Sequence, residues 1–287
     1  MTISELYIYP IKSLGGIAVD EVVVEEKGLR HDRRFMLVTP AGEFLTQRTN
    51  PQMALIDVAI KDTQLQVWHR HRPDDVLTVP LTVSDPTEQM LVSIWDSKDV
   101  PAVTVSLEAD TWFTQVLEKP CRLVYMPDTT HRAVDAEYAV NDDAVSFADG
   151  YPYLLIGQSS LDYLNSRLGT PISMRRFRPN FVVKDSLPNE EDGWAEFRLG
   201  DLNFYGVKPC ARCVLTTIDP ETGEPGKEPL RTLATYRQWK HKLLFGQNML
   251  LKSTGAPIVG TVRVGQAVEV TRYQEPWLAP PIDQTLR

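Results

Sequence analysis

Two cysteines separated by two residues are the feature of this sequence best suited to chemistry. They are Cys210 and Cys213, in the segment KPCARCVLTTIDP. A disulfide-exchanging pair of this spacing lies at the N-terminus of a helix, where the helix dipole lowers the pKa of one thiol. The β-branched run at 214–218 instead predicts a strand, which argues against disulfide exchange.

The same pair is also compatible with a metal site or with the hydrophobic core. A structural zinc site needs four ligands. Besides Cys121, the remaining candidates are five histidines without ligand spacing: His31, His69, His71, His131 and His241. Two inert buried cysteines are a further interpretation, because cysteine is frequently buried. A thiolate is also a soft metal donor, and the charge of Arg212 beside Cys213 favours the thiolate. The residues alone leave these interpretations open.

Cationic side chains occur in four short segments that could bind an anionic group. The segments are Lys12-Ser13, Arg33 in GLRHDRRF, Arg176 to Asn180 in RRFRPN, and Arg212 beside Cys213. Strand alternation predicts that Arg33 shares a face with Phe35. It also predicts that the alternate residues Arg176, Arg178 and Asn180 point the same way along a strand. A solvated loop and an edge strand are the alternatives.

Composition limits the classes of function. The formal net charge of −8 argues against general binding to nucleic acid or to an anionic membrane. No apolar run reaches the roughly 18 residues of a membrane span, and MTISELYIYPIKSL does not read as a signal peptide. Three cysteines without an export signal predict a reducing, cytoplasmic setting.

The elements that must position these residues are mostly short strands. Turns at 39–42 and 61–62 predict hairpins in the first hundred residues. A helix is expected at about 108–118, and a second in SSLDYLNSRLG with Ser159 or Ser160 as N-cap and Gly169 at its end. A third is expected in PLRTLATYRQWKHKLL.

This pattern predicts a mixed, β-dominated fold. We expect a β-barrel domain, closed or nearly so, packed with an N-terminal β-rich domain and a few peripheral helices. The polar segment 127–149 marks a soft boundary. The predicted division is an N-terminal domain at 1–120, a barrel domain at 121–275 and a tail at 276–287.

Several motifs together resemble the MOSC domain family, in particular its amidoxime-reducing branch. KPCARCVLTTIDPETGEPGKEPLRTL resembles the MOSC signature, and the resemblance continues through TLATYR and LFGQN. The N-terminal stretch from IYPIKSL to FLTQR resembles the β-barrel domain that precedes MOSC, and RFRPNFVV resembles the segment between them. The motifs occur in the family's order and cover nearly the whole chain.

The resemblance implies that Cys213 is the molybdenum ligand of a molybdopterin cofactor. It implies cofactor contacts at Lys12, Ser13, Arg33, Gly150, Tyr151, Arg178 and Asn180. Tyr151 departs from the small or hydroxyl residues of the family. Arg176 is added because of its spacing from Arg178. Arg212 is added because of its charge, and with Cys213 it is predicted to be catalytic. The role of Cys210 stays open.

The resemblance further implies a molybdenum-cofactor-dependent reductase of N-hydroxylated compounds, such as amidoximes, hydroxylamines and N-hydroxylated bases. No cysteine follows Cys213, so the fused ferredoxin domain of some relatives is expected to be absent. The expected partners are a separate flavoprotein or ferredoxin-like electron donor and a small-molecule substrate, without nucleic acid or membrane. Sulfur transfer through a persulfide on Cys213 is the second hypothesis, and a cofactor carrier is the third.

Overall fold

The computed structural model describes residues 1–84, 88–252 and 260–279, and strands dominate this part of the chain. In the first half they are β1 (Thr2–Ile8), β2 (Ile17–Val19), β3 (Glu21–Glu25), β4 (Gly28–Leu29), β5 (Phe35–Val38), β6 (Ile56–Lys61), β7 (Gln64–His69), β8 (Arg72–Pro80), β9 (Gln89–Ile94), β10 (Ser97–Thr104) and β11 (Arg122–Tyr125). In the second half they are β12 (Tyr153–Gly157), β13 (Phe181–Lys184), β14 (Trp194–Leu199), β15 (Leu202–Arg212), β16 (Gln238–Trp239), β17 (Lys242–Leu251), β18 (Gly260–Arg263) and β19 (Val268–Tyr273). The α-helices are α1 (Leu107–Leu117), α2 (Gln158–Asn165) and α3 (Leu230–Leu233), and short 3-10 helices span Pro51–Leu55, Met174–Phe177, Glu190–Gly193 and Val214–Thr217.

Within the described residues, the largest sheet has nine strands and curls into a nearly closed barrel. Its order is β19-β14-β15-β17-β12-β13-β1-β2, and β16 pairs with β17. It closes where β19 reaches the start of β1: the Val268 N–H donates to the Met1 carbonyl (3.1 Å), and Thr2 forms a bridge with Ala267. The barrel interior is filled by Tyr153, Phe181, Trp194, Phe197 and Phe204. Burial of each such ring stabilises the fold by about 1.5–3 kcal/mol. The β-dominated fold class is confirmed.

Two smaller sheets and α1 build the N-terminal region. The sheets have the orders β5-β11-β10-β9 and β6-β7-β8. Helix α1 buries Trp112, Phe113 and Leu117 in the apolar cluster that both sheets share. The Ser106 hydroxyl caps the helix by accepting a hydrogen bond from the Ala109 N–H (3.1 Å). The predicted helix at about 108–118 and the two predicted hairpins are therefore confirmed.

Strand pairing crosses the predicted division at residue 120. Strands β1 and β2 belong to the nine-stranded sheet, and β3 pairs with β18. Conversely, β11 pairs with β5 and β10 of the N-terminal region. The two regions therefore hold each other in place, and the exact division stays a prediction. Of the predicted tail, residues 280–287 lie outside the described residues. Each helix in the described residues is too short or too polar to cross a lipid bilayer.

Two helices differ from their predicted bounds. Helix α2 follows Gly157 rather than a serine cap, because the Ser160 hydroxyl instead donates to the buried Glu191 carboxylate (2.8 Å). It ends at Asn165, before Gly169. Helix α3 covers only four residues of the predicted third helix. The rest of that segment forms the β16–β17 hairpin, whose turn contains Lys240 in a left-handed conformation (φ 52°).

Candidate functional site

A cleft lies beside the C-terminal end of β15, with an empty volume of about 770 Å³ that includes its open mouth. Nine of the ten predicted cofactor contacts line it: Lys12, Ser13, Arg33, Gly150, Tyr151, Arg178, Asn180, Arg212 and Cys213. Arg48 and Asp149 also line the cleft and were missed by the sequence prediction. The fold therefore brings side chains from both halves of the chain to one place.

Cys213 lies directly after β15, at the start of the 3-10 helix Val214–Thr217. This short helix corrects the strand predicted at 214–218, which was the basis for disfavouring disulfide exchange. The hydroxyls of Thr216 and Thr217 donate to the carbonyls of Cys213 (3.0 Å) and Val214 (2.7 Å). Such local bonds favour a turn over a strand. The Cys213 thiol is half-buried, so its sulfur is open to the cleft.

Cys210 lies on β15 and lines the same cleft. Burial raises the pKa of its thiol, and the charge of Arg212 offsets only part of that effect. The Cys210 thiol is therefore protonated at neutral pH in the cofactor-free protein. None of the three cysteines forms a disulfide.

Arg48 connects the N-terminal region to the cysteine. Its Nε donates to the Cys213 Sγ (3.0 Å), and its Nη2 lies 3.2 Å from Asp149 Oδ2. Its guanidinium stacks on the ring of Trp95 at 4.0 Å from the ring centroid. The only sequence signal for Arg48 is its position at the end of the N-terminal motif, FLTQR.

Lys12 is buried behind Asp149. Its Nζ donates to Asp149 Oδ1 (2.5 Å) and to the Phe147 carbonyl (2.9 Å). Burial lowers the pKa of Lys12 to about 8, and Asp149 opposes part of the shift. Desolvation raises the pKa of Asp149, but Lys12 and Arg48 together hold it well below its usual range. Ser13 follows in a left-handed conformation (φ 66°), which places it on the cleft wall.

A buried arginine holds the loop that carries Asp149, Gly150 and Tyr151. Arg132 is 6% exposed, and its guanidinium donates to the carbonyls of Ser146 (2.8 Å), Ala148 (2.7 Å) and Asp149 (2.9 Å). Burial lowers the pKa of Arg132 to about 10, so it stays charged at neutral pH. At Gly150 nothing lies within 4 Å of where a side chain would begin. The Tyr151 hydroxyl is buried without a hydrogen-bond partner in the described residues.

Arg33 and Asn180 form most of their hydrogen bonds with each other and with neighbouring protein groups. Arg33 Nη1 donates to Asn180 Oδ1 (3.2 Å), and its Nη2 donates to the Arg178 carbonyl (3.0 Å). Arg33 and Arg178 both have left-handed backbones (φ 49° and 55°) and lie outside strands. The prediction from strand alternation was therefore wrong, both for Arg33 with Phe35 and for Arg178 with Asn180. Strand β13 begins only at Phe181.

Arg178 and Arg212 line the cleft, and each has one buried guanidinium nitrogen without a partner. Arg178 donates from Nη1 to the Leu14 carbonyl (2.7 Å), and Arg212 donates from Nε to the Phe245 carbonyl (2.8 Å). The buried Nη2 of each, and Nη1 of Arg48, have no hydrogen-bond partner in the described part of the chain. An unpaired buried donor is costly, so an acceptor that reaches any of these three nitrogens would be stabilised there.

The charges of the cleft differ from those of the chain. Five cationic side chains line it (Lys12, Arg33, Arg48, Arg178 and Arg212), against one carboxylate, Asp149. The whole chain has a formal net charge of −8. A thiol sulfur beside guanidinium groups suits a ligand with both a soft metal and an anionic group.

Arg176 does not line this cleft. Its Nη2 pairs with Asp219 Oδ2 (2.5 Å), and its Nη1 donates to the Thr217 carbonyl (3.3 Å). The reason is local: Arg176 lies in the 3-10 helix Met174–Phe177, so it does not share a strand face with Arg178. Arg176 instead fixes the loop that follows Cys213.

Two family models divide the chain between them. The MOSC N-terminal beta barrel domain matches residues 1–120, and the MOSC domain matches residues 142–269. The chain belongs to the MOSC-domain proteins that carry this N-terminal domain.

Individual relatives share about a third of its residues. It is 32% identical to mitochondrial amidoxime-reducing component 1 of Mus musculus, with 93% of this chain and 81% of that protein covered. The Homo sapiens protein of the same name is also 32% identical, covering 93% of this chain and 82% of that protein. The molybdenum cofactor sulfurase of Solanum lycopersicum is 32% identical over 85% of this chain but only 32% of its own length.

Proposed function

We propose that this chain binds a molybdenum cofactor through Cys213 and reduces N-hydroxylated compounds such as amidoximes, hydroxylamines and N-hydroxylated bases. The observation that carries the proposal is the cleft that the Cys213 sulfur shares with the guanidinium groups of Arg48, Arg178 and Arg212. Relatives named for amidoxime reduction cover most of the chain, which supports this chemistry over others.

The donors present fit a molybdopterin. Cys213 supplies the thiolate ligand, and the guanidinium groups of Arg178 and Arg212 on the cleft wall suit the phosphate. Lys12, Ser13, Arg33, Gly150, Tyr151 and Asn180 complete the proposed binding wall. Arg33 acts chiefly by fixing the backbone at Arg178, and Asn180 acts by bonding the Tyr7 carbonyl on β1. We assign Arg176 an indirect part, through the loop after Cys213.

When bound, the cofactor supplies two-electron redox chemistry and oxygen-atom transfer. The net reaction takes two electrons and two protons, breaks the N–O bond, and yields the amine-type product and water. Lys12 donates from Nζ to Asp149 and so holds this carboxylate at the cleft wall. Arg212 donates a hydrogen bond to the Phe177 carbonyl (3.0 Å) and so fixes the end of β15, which positions the adjacent Cys213 in the cleft.

The proposal extends to partners and location. We propose a separate flavoprotein or ferredoxin-like electron donor, with a small molecule as substrate and neither nucleic acid nor membrane as partner. Three unpaired thiols support a cytoplasmic location. We retain residues 1–120 and 121–275 as the proposed domains.

Sulfur transfer is the second candidate, because a cofactor sulfurase is 32% identical over 85% of this chain. In that case Cys213 would carry a persulfide rather than a metal. The half-buried position of Cys213 in an open cleft is compatible with that chemistry too.

Metal and pterin analysis tests the proposal. Wild type, Cys213→Ala and the control Cys121→Ala would be produced in a molybdate-supplied host that makes the cofactor. We expect about one molybdenum per chain in wild type and control, none in Cys213→Ala, and turnover of amidoximes with a chemical reductant. Sulfane sulfur on Cys213 without molybdenum would favour sulfur transfer. Cofactor without turnover under any donor would indicate a carrier.

A further inference from the structure

The Cys213 sulfur accepts a hydrogen bond from a residue of the N-terminal region. Arg48 Nε lies 3.0 Å from Cys213 Sγ, within hydrogen-bond range for sulfur. The two residues are 165 positions apart, so the contact exists only because the two regions are folded together. Among the described residues, no other side chain donates a hydrogen bond to this sulfur at the distances found here.

Arg48 is held in position from two further directions. Its guanidinium stacks on Trp95 (4.0 Å), and its Nη2 lies 3.2 Å from Asp149. Trp95 Nε1 itself donates to Asp149 Oδ1 (3.1 Å), so Arg48, Trp95 and Asp149 each contact the other two. The Arg48 side chain is only 18% exposed, so water competes weakly for its donors. An arginine fixed in this way directs its Nε–H at the sulfur with little freedom to turn away.

A cation that donates a hydrogen bond to a ligating thiolate withdraws electron density from the sulfur. Hydrogen bonds around a cysteine ligand tune reduction potentials in other metal sites. A positive charge stabilises the more negative, reduced state and therefore raises the potential. Residues that orient a ligand also affect metal affinity by about 10–100-fold.

We propose that Arg48 is a positioning residue that orients the Cys213 sulfur and raises the reduction potential of the metal bound there. This role rests on the proposed function, since it requires molybdenum at Cys213. It adds Arg48 to Lys12, Ser13 and Arg33 as a side chain of the N-terminal domain at the redox site, and it is the one that bonds the metal's sulfur ligand.

Four variants of the loaded protein test this role. Arg48→Met removes charge and donors, and Arg48→Lys keeps the charge but loses the fixed fork. Trp95→Phe keeps an aromatic surface for Arg48 and removes the bond to Asp149. Arg198→Met is the control, because Arg198 is 48% exposed and pairs with Glu269 on the surface. The measurements are molybdenum content, melting temperature and a redox titration followed by the paramagnetic resonance of the metal.

We expect Arg48→Met to lower the reduction potential of the metal by about 59 mV for a one-electron couple. At a fixed solution potential, this shift raises the oxidised-to-reduced ratio about tenfold. Arg48→Lys should fall between Arg48→Met and wild type, and Trp95→Phe and Arg198→Met should match wild type. A folded Arg48→Met that loses molybdenum while Arg48→Lys keeps it would support the orienting role. Full loading with an unchanged potential and resonance in Arg48→Met would overturn the role and leave the proposed function intact. Wild type without molybdenum would instead refute the proposed function, and the Arg48 role with it.

Discussion

Asn180 accepts a hydrogen bond from Arg33 (3.2 Å) across 147 positions of sequence, and the same Asn180 oxygen accepts the Leu154 N–H (3.2 Å). The Asn180 amide nitrogen donates to the Tyr7 carbonyl (3.2 Å). Asn180 is 2% exposed, so these groups have little access to water. The residue therefore joins β1, β12 and the loop before β13 beneath the cleft.

Asn180→Ala should destabilise the fold by about 1–3 kcal/mol, because it leaves buried groups without partners. Urea unfolding of the cofactor-free protein measures this free energy. The control is Asn203→Ala, whose side chain is exposed and makes a 3.5 Å contact with the Asp201 carbonyl. Equal stability of Asn180→Ala and the control would contradict the joining role.

Arg132→Met should loosen the loop that carries Asp149. The variant removes bonds to the three carbonyls of Ser146, Ala148 and Asp149, at a cost of about 1–3 kcal/mol. Hydrogen exchange at the amides of 146–151 should become faster than in wild type. Arg272→Met is the control, because Arg272 is 59% exposed. Unchanged hydrogen exchange in Arg132→Met would show that the loop is ordered without the Arg132 hydrogen bonds.

The fold class and most of the cleft could be predicted because their signals are local or lie in ordered motifs. Helix α1 was predictable from its apolar spacing, and Cys213, Lys12 and Arg178 from the motifs that contain them. Strand alternation failed at Arg33, because a left-handed residue before a strand breaks the two-residue period.

Residues whose role depends on tertiary contact could not be predicted. Arg48 and Arg132 act on groups far away or on backbone carbonyls, and neither has a local pattern that marks it. The third predicted helix shortened for a related reason. Arg237 in that segment is 1% exposed and pairs with Asp192 (2.5 Å), a contact that holds its backbone in a turn before β16.

Sulfate binding to the cofactor-free protein should weaken as pH rises through about 8. Burial lowers the pKa of Lys12 to about 8, so the cleft loses a positive charge above that pH. Sulfate keeps its own charge over pH 7–9.5, and its affinity should fall by up to about tenfold per pH unit. In Lys12→Arg the guanidinium stays protonated, so calorimetry should show a flatter profile. The same slope in Lys12→Arg would assign the effect to another group.

A buried acidic pair lies behind helix α2, away from the cleft. The Glu191 carboxylate accepts hydrogen bonds from the Gly157 N–H (3.0 Å) and the Ser160 hydroxyl (2.8 Å). The adjacent Asp192 pairs with Arg237 (2.5 Å). Glu191 has no cationic partner among the described residues, so the network holds two carboxylates against one guanidinium.

Glu191→Gln should remove a pH dependence of stability. Burial, followed by the charge of Asp192, raises the pKa of Glu191 from 4.5 to about 7 in the folded protein. The folded state thus binds this proton more tightly than the unfolded state. Its contribution is full below about 4.5 and is lost as pH rises through about 7. Glutamine cannot ionise, so the melting temperature of the variant relative to wild type should rise by several degrees from pH 5 to pH 8, since each 1 kcal/mol moves it roughly 2–4 °C. Glu269→Gln, at a carboxylate that is 61% exposed, is the control. Parallel pH profiles for wild type and Glu191→Gln would show that Glu191 does not titrate in this range.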